Sequence, residues 1–514
     1  MTIVAFPTQG EVLQFAFDAF GVLPQKYELD EHFNETRKKS TQTALNRLAN
    51  EVGKLDANLD ELLTTFSYLV AGVLPPREAL AFGDVFLDLF DTYRNALVTE
   101  GTYLTKSETA KWQMLERSAP RLAISLAKHL QRYNIASDGL LVPAPAYWYL
   151  PKRDGDHWAW PLEQVMRWAY DQAGTTILRF HCPQNVDSAH PTKNLDSAKN
   201  WLAGRTLPSW SSLLNNFDES FCALDRFRAT QGTPLLCETQ KKSIRIALFL
   251  SRAATHISKL VQEHFGDAVL EEVCSRFRLM AERAEDSTKM LSEYVQGVIV
   301  KENIPPSDLD ELWFDVVSNY WKVLAAHQVE VGQAVSSGHL TVDEAIEQCR
   351  PFGRLARLLF ERPEAFNAQH SIPDGFAELL LDGLALRKCN ELDLASIQAY
   401  RTRLESRGLT KKLPWMVPWQ QSTFHYREGR YAEAFPFIQE AYDCAKYCAG
   451  AKQYELVNRY IELSAKNGKR KEFTNGIAWA TYLGIEVRLL RKSEPTKENL
   501  EWVFGMMKRA VWPA

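Results

Sequence analysis

The stretch Tyr426-Arg-Glu-Gly-Arg-Tyr-Ala-Glu-Ala-Phe-Pro-Phe-Ile-Gln-Glu-Ala441 decides how the rest of the chain is read. Gly429 marks a place where one helix stops and the chain reverses, because glycine takes the left-handed backbone without steric cost. Tyr431 stands near the start of the next helix. Ala434 and Ala441 recur two turns apart on one face, and small residues there let paired helices approach closely. The pattern echoes at a spacing of 39 residues. Upstream it gives Asn390 and Ala395, with asparagine, which also tolerates the left-handed conformation, in place of glycine. Downstream it gives Gly468 and Ala480, with Phe473 where a small residue stood before.

On these residues the segment resembles the tetratricopeptide repeat, a unit of two antiparallel helices. The family's period is about 34 residues, so the longer spacing here implies longer helices or inserted loops. The resemblance implies a C-terminal α-solenoid over residues 336–514, with a groove for a protein or peptide partner. Plain helix pairs without a binding role are the alternative.

Outward from this segment, helical patterns dominate. They predict helices over Glu11–Phe20, Asp60–Val73, Arg77–Val98 and Ser107–Gln131, forming an N-terminal helical domain at 1–137. A long-helix region follows at 236–335, with helices over Ser243–Phe265, Asp267–Val300 and Leu309–Val335. Between them, residues 138–235 break the pattern. Asp154-Gly155 signals a tight turn. With Tyr147 and Tyr149 before it and Trp158 and Trp160 after it, a small β-hairpin with cross-strand aromatic pairs is expected near 141–161. The run Thr175-Thr-Ile-Leu-Arg-Phe-His181 predicts a further strand. Lys152 and Arg153 at the hairpin tip raise base stacking as a use for the aromatics; a packed hairpin is the favoured alternative. The expected fold class is therefore mainly α and multi-domain.

Residues 194–217 hold Trp201, Gly204, Arg205, Pro208, Ser209, Leu213 and Leu214. Gly204 suits a helix C-terminus and Pro208 the first turn of the next helix. This segment resembles the second half of a Cro/repressor-type helix-turn-helix, with Leu162–Ala173 as its first helix. The resemblance implies that Asn194, Asp196, Ser197, Lys199 and Asn200 face a major groove and Arg205 a phosphate. Residues 160–260 carry 12 Lys+Arg against 8 Asp+Glu, a mild local excess of positive charge. Bacterial regulators that join such an element to tetratricopeptide repeats sense a peptide or partner with the repeats, so the two resemblances together imply a regulator.

Composition narrows the function classes. The formal net charge is −4, so no global basic excess demands nucleic acid. The eight cysteines are scattered and are expected to be reduced thiols. The N-terminus has no basic segment leading into an apolar run, and Leu62–Leu74, broken by Ser67 and Gly72, is too short to span a membrane. A cytoplasmic chain is expected. No phosphate-binding loop, dinucleotide fingerprint, His-Glu-x-x-His or Gly-x-Ser-x-Gly is present. His181, Cys182 and His190 could offer zinc ligands, but adjacent His-Cys cannot readily share one ion, and no metal or cofactor is expected. Cys444 and Cys448 read as small core residues within the repeat. The sequence thus favours a non-enzymatic binding or regulatory protein with possible DNA contact at 194–217. The alternatives are a scaffold subunit without nucleic-acid contact and an enzyme with an unrecognised active site.

Overall fold

The computed structural model describes residues 8–22, 35–49, 143–183 apart from 146 and 156, 193–302, 373–490 and 496–509, with isolated positions elsewhere. The fold is mainly helical. Helices expected over 60–73, 77–98, 107–131 and 309–335, and His190 and Cys349, lie wholly or largely outside the described residues.

The N-terminal helix α1 (Gln9–Phe20) opens on a capping box. The Thr8 side chain accepts from the Glu11 N–H while Glu11 returns a bond to the Thr8 N–H. Helix α2 (Glu35–Ala49) packs on α1 through Thr41, Ala44 and Leu45. The hairpin is shorter than its aromatic pattern suggests. Strands β1 (Lys152–Asp154) and β2 (His157–Ala159) pair antiparallel with Arg153 opposite Trp158, and Gly155, at φ 60°, takes the first loop position. Tyr147 and Tyr149 lie before the strands in a turn closed by Trp148 N–H to Pro145 O and Leu150 N–H to Tyr147 O, so the expected Tyr–Trp cross-strand pairs do not form. Pro151, which has no N–H to give a ladder, separates that turn from β1.

Four helices follow: α3 (Pro161–Gln172), α4 (Ile177–His181), α5 (Lys193–Leu202) and α6 (Trp210–Gln231). The strand expected at 175–181 is therefore a helical turn. Thr176 caps it by accepting from the Arg179 N–H, and Phe180 enters an aromatic cluster with Tyr170, Phe217 and Phe221. Tertiary packing outweighs the β-propensity of three successive β-branched residues. Helix α7 (Glu238–Glu302) is the longest and breaks at Gly266, whose φ of 84° and ψ of 171° are not helical.

The C-terminal region is a succession of short helices: α8 (Phe376–Lys388), α9 (Leu394–Ser406), α10 (Met416–Arg427), α11 (Tyr431–Ala445), α12 (Gln453–Lys466), α13 (Arg470–Tyr482) and α14 (Lys497–Arg509). Each of α10 to α13 packs on the next, and α12 also packs on α14. Two turns are built alike. Gly429 and Gly468 both sit at φ 70°, with Arg430 N–H bonded to His425 O and Lys469 N–H bonded to Ser464 O. These are Schellman caps, which satisfy carbonyls that the helix end would otherwise leave orphaned.

Candidate functional site

In the two glycine-turned pairs the expected small and apolar positions are buried together. Ala434 and Ala441 in α11 and Ala480 in α13 are fully covered, and Ile438 and Ile477, also 39 apart, join them in the core. Tyr431 is partly buried, and its ring lies 5.3 Å from that of Tyr426. Phe473, in place of a small residue, is buried; the close approach in that pair is made instead by Gly476, where a Cβ would lie 2.7 Å from Ile461 Cγ1. The upstream echo differs. Ala395 is exposed on α9, which turns Ile397, Tyr400 and Leu404 inward. Asn390 is not in the left-handed region, since Leu489 is the one non-glycine residue with positive φ among the described residues. There the tight crossing is at Gly383, whose missing side chain leaves room for Tyr400 and Met416.

A seam of cations on aromatic rings joins α8, α10 and α12, and no short motif announces it. The Arg387 guanidinium lies 3.9 Å from the centre of the Trp419 ring and pairs with Glu455. Arg459 lies 3.9 Å over Tyr426. The Tyr426 hydroxyl donates to Glu462 Oε1 at 2.5 Å, and Arg459 bonds the other carboxylate oxygen at 3.0 Å. Lys466 approaches Glu462 at 3.8 Å and Tyr431 at 4.5 Å. Arg427 donates to Arg387 O and Cys389 O, so a side chain of α10 satisfies carbonyls at the end of α8. Burial lowers the pKa of Arg387; Glu455 raises it, and the neighbouring Arg459 and Arg427 lower it further. These cations therefore stitch the alternate helices α8, α10 and α12 together. The outward apolar side chains of α12 and α14 are a different matter. Trp502 and Met506, one turn apart on α14, are 55% and 40% exposed, and Tyr454 on α12 is 44% exposed.

The segment 193–205 places Leu195, Ala198 and Trp201 inward. Asp196, Lys199 and Arg205 are exposed, and Asn194, Ser197 and Asn200 are half-buried. Asn194 is already engaged: its Nδ2 donates to Glu219 on α6 at 2.7 Å, and its carbonyl accepts from Asn216 at 3.0 Å. Gly204 closes α5 in a Schellman cap, and Ser209 caps α6. Residues 182–192 separate α4 from α5, a longer connection than the three or four residues of a helix-turn-helix.

The hairpin aromatics do not present a stacking platform: Trp158 and Trp160 are buried, and Arg153 is paired with Glu271. His181 is likewise committed to the interior. Its Nε2 shares a hydrogen bond with the Tyr170 hydroxyl at 3.0 Å and its Nδ1 with Ser220 Oγ at 2.8 Å, and Ser220 donates onward to Asn216 O. Burial brings its pKa down to about 3, so the ring is neutral, with both nitrogens occupied and neither turned to a metal. Cys444 and Cys448 are partly and fully buried, and burial raises both thiols. Among the described residues no group of three His, Cys, Asp or Glu could hold a metal ion, and no helix is long and apolar enough to cross a membrane. Comparison of the chain with protein-family models, curated proteins and solved structures gives no match.

Proposed function

We propose that this chain is a non-enzymatic binding protein whose C-terminal helices form a tetratricopeptide-like solenoid that holds a protein or peptide partner. The observation that carries this reading is the identical construction of the Gly429 and Gly468 turns, 39 residues apart, with Ala441 and Ala480 buried behind them. Units built alike and packed in sequence give an extended surface, which is the usual ground for partner binding in such arrays. Trp502 and Met506 on α14 supply exposed apolar area of the kind that anchors an interface. A photo-crosslinking residue placed at 502 or 506 in the full chain, in the cells that make it, tests the proposal. One discrete protein adduct is expected at these positions and none from exposed Lys411. Equal labelling at all three positions would defeat it.

A second reading, that residues 193–205 touch duplex DNA, draws support from the exposed Lys199 and Arg205 and from the packing of α3, α4, α5 and α6 around one aromatic cluster. Each phosphate contact adds about 0.9 to the slope of log affinity against log salt. Lys199→Ala with Arg205→Ala should therefore lower that slope by about 1, for the phosphate that Arg205 would meet. An unchanged slope leaves the scaffold reading, without nucleic acid.

A further inference from the structure

Helix α7 contains one residue that no helix accepts. Gly266, at φ 84° and ψ 171°, occupies backbone space essentially reserved for glycine. Its neighbours, His264-Phe265 before it and Asp267-Ala268-Val269 after it, raise no other obstacle to continuing the helix. A glycine inside a helix costs only about 1 kcal/mol relative to alanine. Something outside the helix must therefore hold the break.

The β1–β2 hairpin and the Trp160–Leu162 segment that leads from it into α3 are positioned to do so, because together they grip α7 on both sides of Gly266. Before the break, Lys259 lies 5.4 Å over the Trp160 ring, and Thr255 Oγ1 accepts from the Leu162 N–H at 2.9 Å. After the break, Trp158 Nε1 donates to Asp267 Oδ1 at 3.1 Å, where Gln262 also donates at 2.8 Å across the glycine itself. Arg153 pairs with Glu271 at 2.7 Å, and Arg278 donates to Pro151 O at 3.3 Å while lying 5.7 Å over Tyr147. Trp158 and Trp160 stack on each other at 6.2 Å, so the two grips belong to one rigid piece. Gln164 fastens that piece to α3 through Leu150 O and Ala159 O. Several of these contacts are half exposed and individually weak, Arg153–Glu271 above all.

We propose that Gly266 is a hinge and the hairpin a strap that keeps it bent, so that lifting the hairpin lets Asp267–Glu302 continue the line of Glu238–Phe265. This conformational device is independent of what the C-terminal helices bind. The ligand able to work it is an anion that competes with Glu271 for Arg153 on the exposed strand β1.

Distance measurement by electron spin resonance on the full chain tests it, with genetically encoded labels at exposed Lys242 and Glu282, since eight native cysteines preclude thiol labelling. A continuous helix would separate these positions by about 60 Å. The wild type should give a single population well short of that. Gly266→Ala, and separately Arg153→Ala with Trp158→Phe, should each create a population near the long distance. Hydrogen exchange of the wild type gives an independent reading: amides of 262–270 should exchange at least tenfold faster than helical amides on either side. A strap variant that keeps the wild-type distance overturns the proposal. If the variants do not fold, exchange at 262–270 as slow as in the flanking turns overturns it alone.

Discussion

Removing Arg252 and adding a methyl group at Gly21 should damage the protein through the same three bonds, which makes their combination a sharp test of how α1 is held. The Arg252 side chain, 6% exposed, leaves α7 and ends among carbonyls: Pro208 O at 2.8 Å, Asp18 O at 2.5 Å, and Ala19 O. Asp18 and Ala19 belong to the last turn of α1, whose carbonyls have no partner within the helix. Gly21 then turns left-handed at φ 62°, and its own carbonyl accepts from the Trp210 N–H at 2.9 Å. A Cβ there would overlap the guanidinium. Burial pulls the Arg252 pKa down to about 10, which leaves it charged at neutral pH.

A charge-assisted hydrogen bond is worth about 1.5–3 kcal/mol, and carbonyls stripped of their partner can recover some of that from water. Arg252→Ala should therefore cost about 4 kcal/mol. Gly21→Ala should cost about 1 kcal/mol for its backbone and nearly all of the same 4 for evicting the guanidinium. With the arginine gone, the three atoms nearest the added methyl are gone too, so the double variant should be only about 1 kcal/mol worse than Arg252→Ala. In a chain of this length global unfolding is not one transition. The appropriate assay is native-state hydrogen exchange of amides 9–20, where 4 kcal/mol corresponds to about a thousandfold faster exchange. Effects of the two changes that add to within about 0.5 kcal/mol would refute the shared-bond argument.

His181 is buried and neutral, so its folded pKa lies below that of the unfolded chain. Stability is complete above about pH 6.5 and falls by about 1.4 kcal/mol per pH unit as pH drops toward about 3. His181→Gln should flatten, between about pH 6 and 4, the opening free energies that native-state hydrogen exchange gives for α3 and α6; a pH dependence parallel to the wild type would show that the ring is not kept neutral. Glu462→Gln leaves Arg459 and Lys466 without their buried counter-charge and should cost about 3–5 kcal/mol, whereas Tyr426→Phe, which keeps the ion pairs, should cost about 1–2. Equal losses of opening free energy in native-state hydrogen exchange of α10 and α12 would contradict that order. Gly468→Ala meets no neighbouring atom and should lose only about 1 kcal/mol of backbone strain, while Gly476→Ala, 2.7 Å from Ile461, should lose about 1–3 through overpacking. A core-methyl NMR spectrum should shift for the second and not for the first.

The features legible in the sequence are those in which one residue determines the local backbone. Gly429, Gly468 and Gly204 each close a helix in the left-handed cap that their position implies, and Gly266 divides α7 where the apolar pattern places the break. What escaped the sequence depends on partners far along the chain. Helix α2 buries Thr41, Ala44 and Leu45 among its described side chains, and its sequence is largely polar. Helix α4 is β-branched at its start and is helical because Phe180 and His181 find α3 and α6. Ala395 shows the opposite failure: alanine suits both an exposed helix surface and a tight crossing, so its presence at a repeat position does not distinguish them.

The cationic side chains carry the same lesson into function. Arg252, Arg387, Arg427 and Arg459 would all count toward a basic, anion-seeking surface if charge were read from the sequence. In the fold they end on carbonyls, rings or buried carboxylates within the chain itself. Lys199 and Arg205, which no contact of that kind absorbs among the described residues, are with Lys193 the positive groups of the 193–205 segment that remain turned outward. A guanidinium already desolvated and paired would have to give up those bonds before meeting a phosphate or a partner's carboxylate, at a cost comparable to what the new contact returns. Recognition by this protein is therefore more economically placed on groups the fold leaves uncommitted. On the proposed function these are Trp502 and Met506 of α14 for a protein partner, and on the second reading Lys199 with Arg205 for nucleic acid.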